Sequence, residues 1–281
     1  MLGLRGAGGG RLSVPRRCGH VPGRGRPDGQ PGAGGRSPGG VSGTLWVCAT
    51  PIGNLQDVSL RLLETLQRVD LIAAEDTRRT LKLLNAHGIR RPLVSFHEHN
   101  ARQRLPELLA RLHAGQSVAL VTDAGTPVVS DPGAELVRAA HEAGVAVRVI
   151  PGASAVVAAL AVAGLPAEPF WFEGFLPARR RARLRRLEWL RALPATLVFF
   201  EAPHRLGESL ADMAAVLGDR EAALARELTK VHESVVRDTL SGLARRVEQG
   251  EVPAVGELTL VVAPPAPGSP EPGPSGEPGS D

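Results

Sequence analysis

Short apolar runs alternate with amphipathic stretches along most of this chain. Leu45-Trp-Val-Cys-Ala49, Leu71-Ile-Ala-Ala74, Leu93-Val-Ser95, Val118-Ala-Leu-Val121 and Val145 to Ile150 each end in a polar or Gly/Pro-containing loop. Runs this short and this apolar predict strands covered on both faces. Between them, apolar residues recur at helical spacing from Ser59 to about Val69, from Arg78 to His87, from Ala101 to His113 and from Gly133 to Ala143. An Ala/Val-rich helix follows Ser154. Ser59 suits the cap of the first helix, and Ser130 or Asp131, with Pro132 behind them, the cap of the fourth. The rhythm predicts a mainly parallel, doubly wound α/β sheet.

The pattern resets at Gly164-Leu-Pro-Ala-Glu-Pro169, which predicts a domain boundary. Beyond it, strands are expected at Phe170 to Phe175, Thr196 to Phe200, Ala222 to Ala225, around Val235 and Val236, and at Glu257 to Val262. Helices are expected at Ala178 to Leu193, from the Glu201-Ala-Pro-His-Arg205 segment to Leu217, and at Leu240 to Gln249. Two α/β domains, 44–163 and 164–263, follow from this. They are flanked by a Gly/Arg/Pro-rich extension, 1–43, and a Pro/Gly-rich tail, 264–281. Both flanks are too poor in apolar residues to offset their ordering entropy and are expected to be disordered.

The run from Val118 to Gly133 carries the densest chemistry. A buried strand breaks into Thr122-Asp-Ala-Gly-Thr-Pro127 and then Ser130-Asp-Pro-Gly133. Open α/β sheets bind ligands at the C-terminal ends of their strands, and this loop lies there. Gly125 allows close backbone approach and Pro127 stiffens the turn. A plain strand-to-helix connection would use the same residues, but similar loops recur after the other strands.

Charge changes the picture little for the folded part. The chain of 281 residues carries a net +4. Seven arginines against Asp28 give residues 1–43 a net +6, and Glu271, Glu277 and Asp281 give the tail −3, which leaves the middle at +1. Any basic surface there is therefore local. One cluster stands out: Arg179, Arg180, Arg181, Arg183, Arg185, Arg186 and Arg191 load one helix whose only acid is Glu188. Like charges so placed repel unless a polyanion is bound, which points to RNA phosphates. Arg78, His97 and Arg205, in strand-end loops, are further RNA candidates. The extension could be an RNA-attracting arm, but it has almost no aromatics for stacking.

Several chemistries lose support. There is no G-x-G-x-x-G after a strand, no Walker A pattern and no nucleophile elbow. His97-Glu98-His99 puts two imidazoles on one side of an extended segment, and two ligands do not make a metal site. Cys18 and Cys48 make neither a disulfide framework nor a zinc knuckle, which fits a cytoplasmic protein. No apolar run reaches membrane-spanning length.

Seven motifs in order then carry a resemblance. Thr50-Pro-Ile-Gly-Asn54, Ala74-Glu-Asp-Thr-Arg78, His97-Glu-His-Asn100, Asp123-Ala-Gly-Thr-Pro127 with Ser130-Asp-Pro-Gly133, Glu173-Gly-Phe-Leu-Pro177, Glu201-Ala-Pro-His-Arg205 and Ala225-Arg-Glu-Leu-Thr-Lys230 span most of the chain. Together they resemble the bacterial 16S ribosomal RNA ribose-2′-O-methyltransferase I family, within the tetrapyrrole-methylase-like superfamily. From about Thr44 to Ala263 the resemblance implies two α/β domains of the tetrapyrrole methylase type with S-adenosylmethionine in the cleft between them. It also implies a homodimer and a decoding-centre cytidine in the small ribosomal subunit as target. It assigns Pro51, Gly53, Asp123, Gly125, Thr126, Pro127, Ser154, Ala155, Ala202 and Gly256, with Glu257, to the methyl donor. Val128-Val129 in place of Gly-Ile, Ala153 of Pro, Asp238 of Gly and Val255 of a basic residue are departures near the pocket or the RNA.

An aligned ribose hydroxyl needs a group to manage its proton. Lys230, Glu98 and Glu75 are the catalytic candidates, with His97 and Asp76 behind them. Lys230 would lower the hydroxyl's pKa or, if neutral, accept its proton; a structural ion pair with Glu227 or Glu201 is the competing role. A tetrapyrrole methylase, a protein-modifying diphthine-type methylase and a non-catalytic RNA-binding protein share parts of this pattern. The arginine helix argues against the first and the intact Gly/Pro loops against the last.

Overall fold

The structure is a computed structural model that describes residues 42–266. The extension up to residue 41, Cys18 within it, and the tail from residue 267 lie outside the described residues. Strands β1 (Thr44–Cys48), β2 (Leu71–Ala74), β3 (Leu93–Ser95), β4 (Val118–Val121) and β5 (Ala146–Ile150) form one sheet in the order β3-β2-β4-β1-β5. All its pairings are parallel. Helices α1 (Leu60–Arg68) and α2 (Thr77–Ala86) cover one face, where Leu62, Leu66, Leu83 and Leu84 meet Cys48, Ile72 and Val121. Helices α3 (Ala101–His113) and α4 (Ala134–Glu142) cover the other, where Leu108, Leu112 and Leu136 meet Leu45, Leu71 and Leu120. Each leucine removed from water in this way contributes about 1.5–3 kcal/mol, which fixes both faces of the sheet. The expected doubly wound sheet is thus present.

Local chemistry sets the helix starts. Ser59 Oγ accepts the Leu62 N–H at 3.1 Å, and the Asp76 carboxylate accepts the Arg78 N–H at 2.8 Å. The start of α4 differs from expectation: neither Ser130 nor Asp131 caps it. Gly133 does, without a side chain and at φ 131°. A Cβ there would lie 2.7 Å from Leu120 Cδ2, so the loop passes too close to β4 for any other residue.

The second sheet is mixed. Strands β6 (Phe170–Phe175), β7 (Thr196–Glu201), β8 (Glu221–Arg226), β9 (Ser234–Thr239) and β10 (Leu258–Val262) run in the order β6-β7-β10-β8-β9. Only β6 and β7 are parallel; the other pairs are antiparallel. Connection length explains the difference. Only residues 227–233 separate β8 from β9, and a parallel crossover needs a dozen residues or more. Helices α6 (Arg180–Arg191), α7 (Leu206–Leu217) and α8 (Leu240–Glu248) pack on one face around Leu187, Phe199, Leu210, Met213 and Leu243. Helix α5 (Ala155–Ala163) follows β5 in sequence and precedes the expected boundary at Gly164. Its Val156, Ala159, Leu160 and Ala163 nevertheless pack on the other face of the second sheet, against Val198, Ala223, Ala225 and Val261.

Candidate active site

The strand order places β4 between β1 and β2, so the loops after these three strands meet at one edge of the first sheet. Thr50 and Gly125 bind each other through both backbone groups, at 2.9 and 3.1 Å. Thr50 Oγ1 donates to the Thr122 carbonyl at 3.1 Å. The Glu75 carboxylate accepts the Asp123 N–H at 3.2 Å, and the Asp123 carboxylate accepts the Asp76 N–H at 3.0 Å. Each loop therefore fixes the next. The second sheet closes over them. Gly174, at a register shift in β6, comes so near the loop that a Cβ would lie 2.9 Å from Ser130 Oγ. Gly53 comes as close to the turn after β8, where a Cβ would meet Lys230 Cγ at 2.5 Å and the Leu228 carbonyl at 3.0 Å. Ile52 is buried in the apolar cluster beneath α5.

A cleft of about 410 Å³ opens between the sheets, within the range of roughly 300–1,000 Å³ usual for small-molecule sites. Asp123, Gly125, Thr126, Ser154, Ala155, Ala202, Gly256 and Glu257, expected from different parts of the chain, all line it. Glu201 lines it too, 3% exposed and with Oε2 free of any partner among the described residues. A buried carboxylate oxygen of this kind needs a donor, which a bound molecule's hydroxyl or amino group supplies. Pro51 and Gly53 line an adjoining cavity of about 330 Å³, together with Lys230. Pro127 is buried and lines neither.

The catalytic candidates separate. Glu75 lines the 410 Å³ cleft and also a neighbouring cavity of about 860 Å³ that holds His97 and Glu98. Asn100 positions His97: its Oδ1 accepts the His97 N–H at 2.9 Å while its Nδ2 donates to Ser95 Oγ at 3.0 Å. Burial pushes the Glu75 carboxyl above the ordinary range, and the Asp123 charge adds to it. Asp76 is taken up by Arg78, whose side-chain and backbone hydrogen bonds hold its carboxyl down at about 2. Lys230 corrects one expectation. Its Nζ lies 2.8 Å from Glu227 and 3.2 Å from Glu257. Burial pulls its pKa down, but these two carboxylates outweigh it and leave the pKa above the ordinary value. It is a cation in an ion-pair cluster, not a neutral base.

The arginine helix is also corrected in part. Arg183 is 1% exposed, 2.8 Å from Asp212 and 3.4 Å from Glu208. Arg180 reaches the other Asp212 oxygen at 3.0 Å. Arg186 pairs with Glu173 and stacks on Trp189. Arg205, half-buried, donates to the Leu176 carbonyl at 2.7 Å and stands 3.6 Å from Glu201. Arg183 and Arg205 are therefore structural, because their charges are neutralised inside the protein. Arg179, Arg181 and Arg185 remain exposed. Arg78 is exposed and paired with Asp76.

Two residues were missed by the sequence reading. Arg79, beside Asp123 at 3.4 Å, lines both the cleft and the Gly53 cavity. Asp131 lines the cleft and the 860 Å³ cavity. Burial, then the Glu75 charge, push its carboxyl up to about 6. Its motif, Ser130-Asp-Pro-Gly133, reads as a helix start, which hid it; the signal was a second acid placed after the same strand as Asp123.

Comparisons with known proteins agree with this geometry. The profile of the tetrapyrrole (corrin/porphyrin) methylases matches residues 44–244. A ribosomal RNA small subunit methyltransferase I from Mesorhizobium japonicum is 52% identical over 221 residues, 78% of this chain and 75% of that protein. The protein of that name from Thermotoga maritima is 46% identical over 79% of this chain and 98% of its own length. Among solved structures, a uroporphyrin-III C-methyl transferase from Thermus thermophilus complexed with S-adenyl homocysteine superposes with a TM-score of 0.55. It is 20% identical and covers 79% of this chain and 97% of that one.

Proposed function

We infer the function from one premise: the chain belongs to the tetrapyrrole (corrin/porphyrin) methylases and, within them, to the ribosomal RNA small subunit methyltransferase I family. It is a methyltransferase. Its methyl donor is S-adenosylmethionine, whose sulfonium supplies an electrophilic methyl group. Its acceptor is ribosomal RNA of the small subunit, in the assembled particle, and the acceptor atom is the 2′-hydroxyl of a cytidine ribose. The observation that carries this reading is the convergence of eight expected donor-binding positions, from Asp123 to Glu257, on one cleft.

The residues fit the donor. Gly125 and Gly256, both at φ near +80°, let backbone come close to a ligand, and the free Glu201 Oε2 accepts one of its hydrogen bonds. The apolar walls, Ile52, Val156, Phe175 and Phe200, exclude water from the reacting centre. The 860 Å³ cavity beside the cleft takes the acceptor nucleotide. Arg179, Arg181 and Arg185 hold RNA phosphates, and His97 lies where the acceptor enters. The active form is a homodimer in the cytoplasm; the apolar Val157 and Val162, exposed on the outer side of α5, fit a second copy of the chain.

The test is transfer of labelled methyl from S-adenosylmethionine to assembled small subunits, free ribosomal RNA and a tetrapyrrole in parallel. Alkali-resistant label at one ribose is the expected result. Label in the tetrapyrrole alone overturns the acceptor and leaves the donor standing.

A further inference from the structure

We propose that Asp131 is the catalytic base, taking the proton from the acceptor hydroxyl at the wall shared by the donor cleft and the neighbouring cavity. The proposal rests on the methyl-transfer reading above and adds the group that completes it. Glu75, Ser130 and Asp131 are common to the linings of the 410 Å³ cleft and the 860 Å³ cavity. A hydroxyl that enters from the larger cavity to meet a methyl in the cleft must pass these side chains. In the step, the hydroxyl oxygen bonds to the methyl carbon as the carbon–sulfur bond breaks. The bonding pair goes to sulfur, which becomes a neutral thioether, and the hydroxyl proton goes to the Asp131 carboxylate and then to water.

The other acids and bases at this wall are committed elsewhere. Asp123 accepts the Asp76 N–H and faces Arg79 at 3.4 Å. Glu75 accepts the Asp123 N–H. Lys230 is a paired cation and lines only the cavity beyond Pro51 and Gly53. His97 and Glu98 line the larger cavity but not the cleft. The Asp131 carboxylate has the Thr122 hydroxyl beside it, but neither a backbone N–H nor a cation as partner among the described residues.

The backbone around Asp131 is built for placement rather than for stability. Val128 and Ser130 sit at φ 78° and 61°, in the left-handed region. Non-glycine residues are rare there, and a β-branched one is strained, at a cost of about 1–3 kcal/mol. That turn replaces the simple cap expected from the sequence and brings Asp131 to the wall, with Gly174 of β6 closing over Ser130. Charges facing Asp131 come from several elements: Glu75 after β2, Asp123 after β4, and His97 with Glu98 and His99 after β3. Arg102 of α3 and Glu135 of α4 complete the rim. Burial and the neighbouring acids tune the carboxyl to about 6, so it is ionised at neutral pH yet still basic.

The experiment is the pH profile of kcat for methylation of small subunits by the wild type, Asp131→Asn, Asp131→Glu and Glu75→Gln. Donor binding by calorimetry and urea unfolding are measured on each. The wild type is expected to gain rate about tenfold per pH unit below about 6 and then level off. Asp131→Asn is expected to lose about 10²–10⁴ in kcat, together with the acid limb, with donor affinity within twofold of wild type. Asp131→Glu restores part of the rate. Glu75→Gln keeps a limb but moves it to lower pH, because one acidic neighbour has gone. Unfolding gives a readout apart from activity. Above pH 6 the native state holds an unfavourably placed charge, so Asp131→Asn is the more stable protein there. That advantage fades as pH falls from 6 to below 4, where both folded and unfolded chains are protonated. A wild type inactive on subunits refutes the function itself. An active wild type with an Asp131→Asn variant that keeps kcat and the limb refutes only the base. Loss of donor binding in Asp131→Asn refutes it equally, by making Asp131 a donor-holding residue.

Discussion

Asp212→Ala tests whether Arg183 of α6 is a structural residue or an RNA-binding one. Asp212 is 4% exposed, and its two carboxylate oxygens take Arg183 at 2.8 Å and Arg180 at 3.0 Å. Removing it leaves the Arg183 guanidinium, 1% exposed, with no buried carboxylate, only the solvent-facing Glu208 at 3.4 Å and the Ala178 carbonyl at 3.3 Å. Breaking one side of a buried ion pair costs about 3–5 kcal/mol. For a chain of this size that lowers Tm by about 6–20 °C. Arg183→Met should cost less, about 1–3 kcal/mol, because Arg180 still neutralises Asp212 and the methionine refills part of the space. The double variant Arg183→Met/Asp212→Leu leaves no buried charge and should recover most of the loss. Urea unfolding at constant m-value gives the free energies, and RNA binding across a salt series gives the phosphate count. All three variants should keep the wild-type salt slope. Asp212→Ala costing under about 1 kcal/mol, or Arg183→Met flattening the slope by about one unit, refutes the structural assignment.

Replacing Arg179, Arg181 and Arg185 together by Glu should raise the RNA KM and flatten its salt slope while leaving donor affinity and Tm unchanged; an unaltered slope removes α6 from the RNA surface. Lys230→Met should weaken donor binding several-fold, because Glu227 and Glu257 then repel each other at the cleft. It should change kcat at saturating donor by less than tenfold, and a hundredfold fall in kcat would return Lys230 to the proton transfer. Gly53→Ala should destabilise by about 1–3 kcal/mol and loosen donor binding, since the added Cβ overlaps Lys230 Cγ and the Leu228 carbonyl. Wild-type donor affinity in that variant would show that the two loops separate freely.

The first sheet was legible because its strands are short, mostly apolar runs and each loop after them is polar, so periodicity and position agree. The grouping of residues around the 410 Å³ cleft was legible only through the order of seven motifs; no single loop announces a ligand. The strand directions of the second sheet were not legible, because strand–helix alternation says nothing about direction when β8 and β9 are joined by a short turn. The arginine helix misled because Arg183 looks like its neighbours in sequence, and its partner Asp212 lies on α7, outside any local window. Asp131 was read as a cap because Ser-Asp-Pro-Gly fits that role locally. Left-handed turns at Val128 and Ser130, just before the close approach of Gly133 to β4, carry it elsewhere. The departure from Gly to Val at 128 acquires a physical meaning from this, since it puts a β-branched residue where glycine is the unstrained choice.

Helix α5 leaves the first sheet by a few residues and gives its whole apolar side to the second. The point where the sequence pattern breaks is therefore not a seam that recombination could use. Joining the first half of this chain to the second half of a distant relative at Gly164 would import α5 as a foreign wedge, cut to fit other strands than the ones it meets. The two halves can change only in step, with α5 and the faces of β8 and β10 inherited as one unit.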